Sequence, residues 1–148
     1  MPPSQPARPR PCPDDLTRPY WQAASQHRLI VMSCSSCGQF RHPPRSTCER
    51  CGSGRYRWEQ LSGEGRVWSF VVDHRNLIAG FDGPYVVALV NPVETGDDVR
   101  IVSNVVGCAG GDVYVGMRVK ITWEDVGDGL CLPQFTPANP LPGGGGLA

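Results

Sequence analysis

No stretch of the sequence approaches the roughly eighteen consecutive apolar residues of a transmembrane helix, which excludes a helical span within these 148 residues. The first residues, Met-Pro-Pro-Ser-Gln-Pro, have no apolar segment that resembles a secretory signal. We therefore expect a cytoplasmic protein whose cysteines stay reduced. The length leaves room for one modest domain and one small additional unit.

A net charge of zero excludes neither acidic nor basic partners, because the charge is unevenly distributed. Residues 26–61 carry six arginines and two glutamates, whereas residues 62–148 carry ten acidic and five basic residues. A basic segment suits the phosphates of a nucleic acid or of a coenzyme, and it suits an acidic protein surface equally well.

Two C-x-x-C pairs, at residues 34–37 and 48–51, form the most specific motif in the chain. Each pair can close a tight turn around one side of a tetrahedral ion, and Zn²⁺ favours four thiolates in that geometry. A glycine follows each pair, where such a turn needs a positive φ. Disulfides are the alternative, but this spacing favours a metal. We predict one structural zinc ion (Zn²⁺) per chain, bound by Cys34, Cys37, Cys48 and Cys51.

This zinc is expected to stabilise the fold and not to catalyse, since four thiolates leave no open position for a substrate or water. His42 lies between the pairs and is an alternative ligand, which the four cysteines make unnecessary. The other three cysteines, Cys12, Cys108 and Cys131, are expected to be small buried residues or a tail thiol.

The ends of the chain differ in composition from its middle. Residues 1–13 contain six prolines and are expected to be a disordered tail or to lie along another surface. Residues 139–148 are a proline- and glycine-rich stretch that we expect to be a flexible tail. Between the tails, we assign residues 14–61 to an N-terminal helix and zinc ribbon, and residues 62–138 to a second unit.

Local patterns predict the secondary structure of both units. Asp14 and Asp15 offer an N-cap, and apolar residues at helical spacing predict a helix over about residues 15–27. Strands are predicted over Arg28–Met32 and Tyr56–Leu61 of the ribbon. Five more are predicted over residues 67–74, 84–91, 100–106, 118–124 and 130–135. This number of short strands predicts a mainly β protein with a five-stranded OB-type barrel, whose usual helix at residues 107–115 is short or absent.

Trp68, Phe70, Val72 and His74 share one face of the first barrel strand by period two. Such a face is usually barrel core, although OB proteins also use aromatic faces to stack single-stranded bases.

Aromatic side chains are in surplus for so small a chain, and they are of the type that anchors interfaces. They predict a protein interface formed by Tyr20, Trp21, Tyr56, Trp58 and Phe81. For the two helix residues, Tyr20 and Trp21, packing against the second unit of the same chain is an equal alternative.

The order of motifs resembles the acyl-CoA-associated OB-fold proteins with an N-terminal rubredoxin-like zinc ribbon. The resemblance covers roughly residues 16–138. It rests on the cysteine pairs with Pro43-Pro44-Arg45 between them, then on residues 61–70 (LSGEGRVWSF), 84–90 (PYVVALV), 116–119 (GMRV) and 132–135 (LPQF). Members of this family occur fused to hotdog-fold enoyl-CoA hydratases or free-standing, and we expect this chain to be of the free-standing kind, since its 148 residues leave no room for a hotdog domain.

The resemblance implies a partner. In the best-understood relatives the OB–ribbon protein binds a sterol-carrier-type thiolase, and the complex cleaves a steroid β-hydroxyacyl-CoA side chain by a retro-aldol reaction. The partner supplies the catalytic groups, so we expect no catalytic residues here but a required subunit of a carbon–carbon lyase, in a heterotetramer with two copies of each chain. The alternatives are an accessory subunit of a thiolase or ketoacyl synthase in another pathway, and a ribbon–OB protein that binds single-stranded nucleic acid.

Overall fold

The computed structural model describes residues 8–139 and shows one helix followed by two β-sheets. Helix α1 spans Arg18–Ser25. Three strands form the ribbon sheet: β1 (Ile30–Cys34), β2 (Phe40–Arg41) and β3 (Tyr56–Gln60). Five strands form a closed barrel: β4 (Glu64–Asp73), β5 (Tyr85–Pro92), β6 (Ile101–Val105), β7 (Arg118–Asp125) and β8 (Cys131–Pro137). The predicted mainly β fold with an OB-type barrel is confirmed.

Helix α1 is shorter than predicted because its first turn is replaced by a side-chain-capped turn. The Asp14 carboxylate accepts the Thr17 amide and hydroxyl, both at 2.7 Å, and these hydrogen bonds lower the pKa of Asp14. The helix therefore begins at Arg18 and not near residue 15. It ends at Ser25 and not at residue 27, since His27 has a φ of 57° and cannot continue it.

The ribbon sheet has the strand order β2-β1-β3, with antiparallel pairs on both sides of β1. All five residues of β1 are buried. The strand begins at Ile30, two residues later than predicted, and continues into the first metal ligand, Cys34.

The barrel closes in the order β4-β5-β6-β8-β7, and β7 pairs back onto β4. Strand β4 begins at Glu64 and not at residue 67, because Glu64–Arg66 pair with Arg118–Lys120 of β7. In the segment 107–115, where the sequence predicts a short or absent helix, one 3-10 turn spans Gly110–Asp112.

A β-bulge in β4 changes which side chains share a face. The register against β5 shifts between Val67 and Ser69, so the period-two pattern predicted through Trp68, Phe70 and Val72 does not hold. Val67 is buried and Phe70 and Val72 pack against the core, whereas Trp68 is 53% exposed. The predicted shared face, and with it a stacking platform built on that face, is therefore wrong.

One hydrophobic core joins the helix, the ribbon and the barrel. It includes Tyr20 of α1, Val31 of β1, and Val67, Val90 and Phe135 of the barrel. The two parts of the chain are therefore packed against each other and not merely linked.

Of the predicted N-terminal tail, residues 8–13 lie within the described part of the chain. Arg8 contacts the barrel, where its guanidinium donates to the Glu124 carboxylate at 2.7–2.8 Å and to the Gly80 carbonyl at 2.7 Å. Residues 1–7 and residues 140–148 of the predicted C-terminal tail lie outside the described residues. Within residues 8–139, no helix is long and apolar enough to cross a membrane.

Candidate functional site

Two tight backbone turns hold the four cysteines at one end of the ribbon. The amide of Gly38 donates to the Cys34 carbonyl at 2.9 Å, and the amide of Gly52 donates to the Cys48 carbonyl at 2.8 Å. The two glycines have φ angles of 77° and 74°, which residues with a Cβ adopt only at a cost. Each C-x-x-C pair is thus folded back on itself by the glycine that follows it.

The four sulfur atoms form one compact cluster. The sulfurs of Cys34 and Cys51 are 3.6 Å apart, as are those of Cys37 and Cys48, and all four lie within 4.8 Å of one another. Four thiolates at about 2.3 Å from a tetrahedral zinc ion are separated by about 3.8 Å. The donor set therefore fits Zn²⁺, and the predicted structural zinc site is confirmed.

Backbone amides favour the thiolate form at the inner pair of cysteines. The pKa of Cys34 is lowered to about 6, chiefly because the Cys37 amide donates to its sulfur, and the Cys51 amide likewise lowers the pKa of Cys48. At Cys37 the hydrogen bond from the Gln39 amide lowers the pKa, but partial loss of solvent at the sulfur and the neighbouring sulfurs outweigh it, so the pKa is raised to about 11. When Zn²⁺ binds, the protons that remain on the cysteine thiols are released, because the ion binds the thiolate form.

Asp98, which lies between β5 and β6, holds the ribbon against the barrel. Its carboxylate accepts the Phe40 amide at 3.1 Å and an Arg50 guanidinium nitrogen at 3.2 Å. One of the ribbon arginines is therefore paired with an acidic residue of the barrel unit in the same chain.

His42 is half-buried at the junction of α1, ribbon and barrel, with its Nδ1 atom inaccessible to solvent, and it is not part of the cysteine cluster. Burial lowers the pKa of its imidazole to about 4, so the ring is neutral at pH 7. Its ring centroid lies 5.1 Å from that of Tyr20, and its Nδ1 atom has no hydrogen-bond partner among the described residues.

Tyr20 is not available as an interface residue, contrary to the prediction. It is only 6% exposed and belongs to the core, because α1 packs this side chain against the rest of the chain. Burial also raises the pKa of its hydroxyl. The alternative of packing within the same chain is the one that the structure shows for Tyr20.

The other four predicted interface aromatics occupy different environments. Trp21 and Trp58 are partly buried and pack against the core. Tyr56 is 42% exposed on β3. Phe81 lies in the loop between β4 and β5, with the Arg8 guanidinium 4.5 Å from its ring centroid. Their role in an interface stays a prediction.

A groove of about 300 Å³ runs between α1, the loop after β2, and strands β6 and β8. Trp21 lies on one side, Pro43 and Pro44 on another, and Val102 and Pro133 on the barrel side. The groove connects Trp21 with the outer surface of the barrel.

The outer surface next to this groove is apolar, which the sequence analysis missed. We call it the outer face; its members are Trp68, Val71, Val87, Leu89 and Val102. Val102 is paired with Leu89, and Val87 with Val71, across adjacent strands. Val71 and Val102 are 62% and 66% exposed. A signal was present in β5, where Val86 to Val90 are all apolar, since a strand with only one covered face would alternate.

Comparison with family models assigns both parts of the chain. The ChsH2 rubredoxin-like zinc ribbon domain matches residues 21–57, and the ChsH2 C-terminal OB-fold domain matches residues 58–124.

Curated relatives include two hydratase subunits and one scaffold protein. The chain is 38% identical over 133 residues to a probable enoyl-CoA hydratase alpha subunit of Thermomonospora curvata, covering 90% of this chain and 41% of that protein. It is 32% identical to the 3-oxo-4,17-pregnadiene-20-carboxyl-CoA hydratase alpha subunit of Mycobacterium tuberculosis, covering 78% and 39%. The chain thus spans about two fifths of the hydratase subunits. It is 31% identical to a DUF35 domain-containing scaffold protein of Methanocaldococcus jannaschii, covering 78% of this chain and 84% of that protein.

Among solved structures, the chain resembles one chain of an Ltp2-ChsH2(DUF35) aldolase. The TM-score is 0.80 at 37% identity, and the match covers 88% of this chain and 100% of that chain. Together with the scaffold protein, which is matched over most of its length, this likeness shows the family. The chain belongs to the DUF35 family, with the ChsH2-type order of a rubredoxin-like zinc ribbon followed by an OB-fold domain.

Proposed function

We propose that this chain is the non-catalytic, zinc-binding subunit of a thiolase-fold acyl-CoA lyase. The likeness that carries the proposal is the one to the DUF35 chain of the Ltp2-ChsH2(DUF35) aldolase, which extends over the whole of that chain at 37% identity. The scaffold name of the archaeal relative supports the same kind of role, since a scaffold acts through the proteins that it holds.

The groove and the outer face support a protein partner. An exposed apolar sheet surface is expected where a partner covers it. Trp21 and Val102 line the same groove, so the predicted interface aromatic and the outer face form one continuous surface. In the proposed complex, this surface packs against the thiolase-fold enzyme.

The proposed reaction is the retro-aldol cleavage of a β-hydroxyacyl-CoA. A base removes the proton of the β-hydroxyl, the bond between the α- and β-carbons breaks, and its electron pair becomes the enolate of the departing acyl-CoA. A proton delivered to the α-carbon completes acetyl-CoA or propionyl-CoA, and a carbonyl remains on the other fragment. Hydrogen-bond donors must stabilise the enolate oxygen. We assign these groups to the partner, and to this chain the completion of the partner's fold and the cover of its substrate channel.

A steroid-type acyl chain is the proposed substrate class. The name of the mycobacterial relative, a 3-oxo-4,17-pregnadiene-20-carboxyl-CoA hydratase alpha subunit, supports this class. Hydration is not assigned to this chain, because the two hydratase subunits are more than twice as long as the part that the chain matches. The proposed complex belongs in the cytoplasm, where the ribbon thiolates stay reduced.

Two alternative functions would use the groove and the outer face to bind a different partner or ligand. A thiolase or ketoacyl synthase of another pathway would carry out thiolysis or condensation with this chain bound. Binding of single-stranded nucleic acid would use the exposed Trp68, whose ring already has the Arg100 guanidinium 4.9 Å from its centroid. Such binding would tighten as the salt concentration falls.

Co-purification tests the proposal. The chain should be co-expressed with a thiolase-fold protein of the Ltp2 type, and the mass of the purified complex should correspond to two copies of each chain. Val102→Asp places a charge on the outer face and should abolish co-purification. Val93→Asp, the same change at a site of similar exposure outside the groove, should leave it intact. Equal behaviour of the two variants, or no complex with the wild-type chain, would refute the proposed interface.

A further inference from the structure

The guanidinium of Arg41 is buried without a hydrogen-bond acceptor anywhere in residues 8–139. The residue is only 7% exposed, and Nε, Nη1 and Nη2 are all inaccessible and unpaired. A charged group that has lost its water must be stabilised by an opposite charge nearby, since otherwise burial strongly disfavours the fold. Because no hydrogen-bond acceptor among the described residues reaches the guanidinium, its charge must be balanced by a negative charge that acts without a direct hydrogen bond.

The sheet register places Arg41 on the same face as a metal ligand. Arg41 of β2 is directly opposite Met32 of β1, and Cys34 lies two residues further along β1, on the same face. Tyr56 of β3 is directly opposite Cys34. The guanidinium carbon of Arg41 lies 5.7 Å from the centroid of the Tyr56 ring, so the side chain extends from β2 across β1 towards β3. It therefore crosses the sheet at the position of Cys34.

The acidic side chains of this region already have other cationic partners. Glu49 and Asp98 line the same small cavity as Arg41, but neither makes a hydrogen bond to its guanidinium. The carboxylates pair as follows: Glu49 with Arg45, Glu59 with Arg57, and Asp98 with Arg50. The strongest remaining source of negative charge on this face is the cysteine cluster itself. Four thiolates around one Zn²⁺ ion carry a net charge of −2.

We propose that Arg41 is the internal counter-cation of the zinc–thiolate centre. The inner ligands, Cys34 and Cys48, are buried, whereas Cys37 and Cys51 are exposed, so water screens only the outer side of the cluster. A fixed positive charge on the inner side stabilises thiolates over thiols and so strengthens metal binding. Arg41 acts through its charge, because no hydrogen bond joins its guanidinium to a cysteine sulfur among the described residues.

The test compares the zinc affinity of the full chain and three variants by competition with a chromogenic chelator. Arg41→Met removes the charge but keeps an apolar side chain of similar length, Arg41→Lys keeps a positive charge, and Arg45→Met removes an exposed arginine of the same ribbon. We expect Arg41→Met to weaken zinc binding at least about tenfold, as is typical for the loss of a group that supports metal ligands. Arg41→Lys should stay within about threefold of the wild type, and Arg45→Met within about twofold.

Replacement of zinc by Co²⁺ gives a spectrum that would not change if Arg41 only supported the fold. A positive charge near the sulfurs lowers their donor orbitals, so its removal should shift the thiolate-to-cobalt charge-transfer band of Arg41→Met to longer wavelength. Unchanged affinity and an unchanged band in Arg41→Met would overturn the proposal. Equal weakening in Arg41→Met and Arg41→Lys would also overturn it, because shape and not charge would then matter.

Two other results are informative: failure of Arg41→Met to fold with zinc, and stabilisation of the wild-type chain by an external anion. If Arg41→Met does not fold with zinc, recovery of folded, zinc-loaded protein in Arg41→Lys supports the proposal, and failure of both variants contradicts it. Inorganic phosphate should not alter the melting temperature of the wild-type chain. If phosphate stabilises the wild type but not Arg41→Met, and both bind zinc equally, then Arg41 serves an external anion and the proposal is wrong.

Discussion

The half-buried imidazole of His42 predicts a specific loss of stability in acid. Its pKa is lowered by burial from 6.5 to about 4 in the folded chain. Between these values the unfolded chain binds a proton at this position and the folded chain does not. The contribution of the neutral His42 side chain to the free energy of unfolding is therefore fully present above pH 6.5 and is lost as the pH falls towards 4.

The magnitude follows from the shift. Each pKa unit corresponds to about 1.4 kcal/mol, so the whole window is worth about 3 kcal/mol of unfolding free energy. Between pH 7 and pH 5 the expected loss from this residue is about 2 kcal/mol.

His42→Phe isolates the effect, because Phe does not titrate and keeps an aromatic ring beside Tyr20. The replacement loses no hydrogen bond at Nδ1, which has no partner among the described residues. The free energy of unfolding of wild type and variant should be measured in urea at pH 7 and pH 5, with zinc content verified at both. Because both proteins contain the same cysteines, the effect of cysteine protonation cancels when their losses of unfolding free energy are compared. His74→Phe, which removes an exposed imidazole, is the matched control and should follow the wild type.

Wild type should lose about 2 kcal/mol more than His42→Phe between pH 7 and pH 5. Equal losses in the two proteins would show that the imidazole is protonated in the folded chain at pH 5, and the account of its burial would be wrong.

Three other changes have defined outcomes. Cys34→Ser should abolish stoichiometric zinc binding and leave the ribbon unfolded, measured by metal analysis and near-UV circular dichroism; an unchanged spectrum without zinc would contradict this. Gly63→Ala should cost roughly 2–4 kcal/mol in urea unfolding, since φ is +87° and a Cβ would lie 2.3 Å from a side-chain carbon of β7. Gly83→Ala, with φ +74° and open space, should cost only about 1 kcal/mol. Trp21→Ala and Phe81→Ala should each weaken partner binding by about 2 kcal/mol in calorimetry; unchanged affinity would remove that residue from the interface.

The metal site was predictable because its ligands are local. Each C-x-x-C turn is closed by a glycine directly after it, so the residue types and spacing alone define half of the tetrahedron. Barrel strands β4 to β7 were predictable for the same reason, since each has its own β-branched residues and a turn after it.

Features that depend on contacts distant in sequence were not predictable. The bulge in β4 arises from pairing with β5, and it turns Trp68 outwards against the period-two pattern. The fate of Tyr20 depended on which side of α1 faces the barrel, and the sequence left two equal choices. The buried Arg41 gave no signal in the sequence, because its burial follows from the pairing of β2 with β1.

The most direct test of the proposed function is a titration of this chain into a fixed amount of its thiolase-fold partner, with release of propionyl-CoA or acetyl-CoA as the readout. We predict no release by either protein alone, and activity that rises with added chain and saturates at one chain per partner protomer. Cleavage of acyl-CoA by this chain unaided, or full activity of the partner without it, would contradict the account.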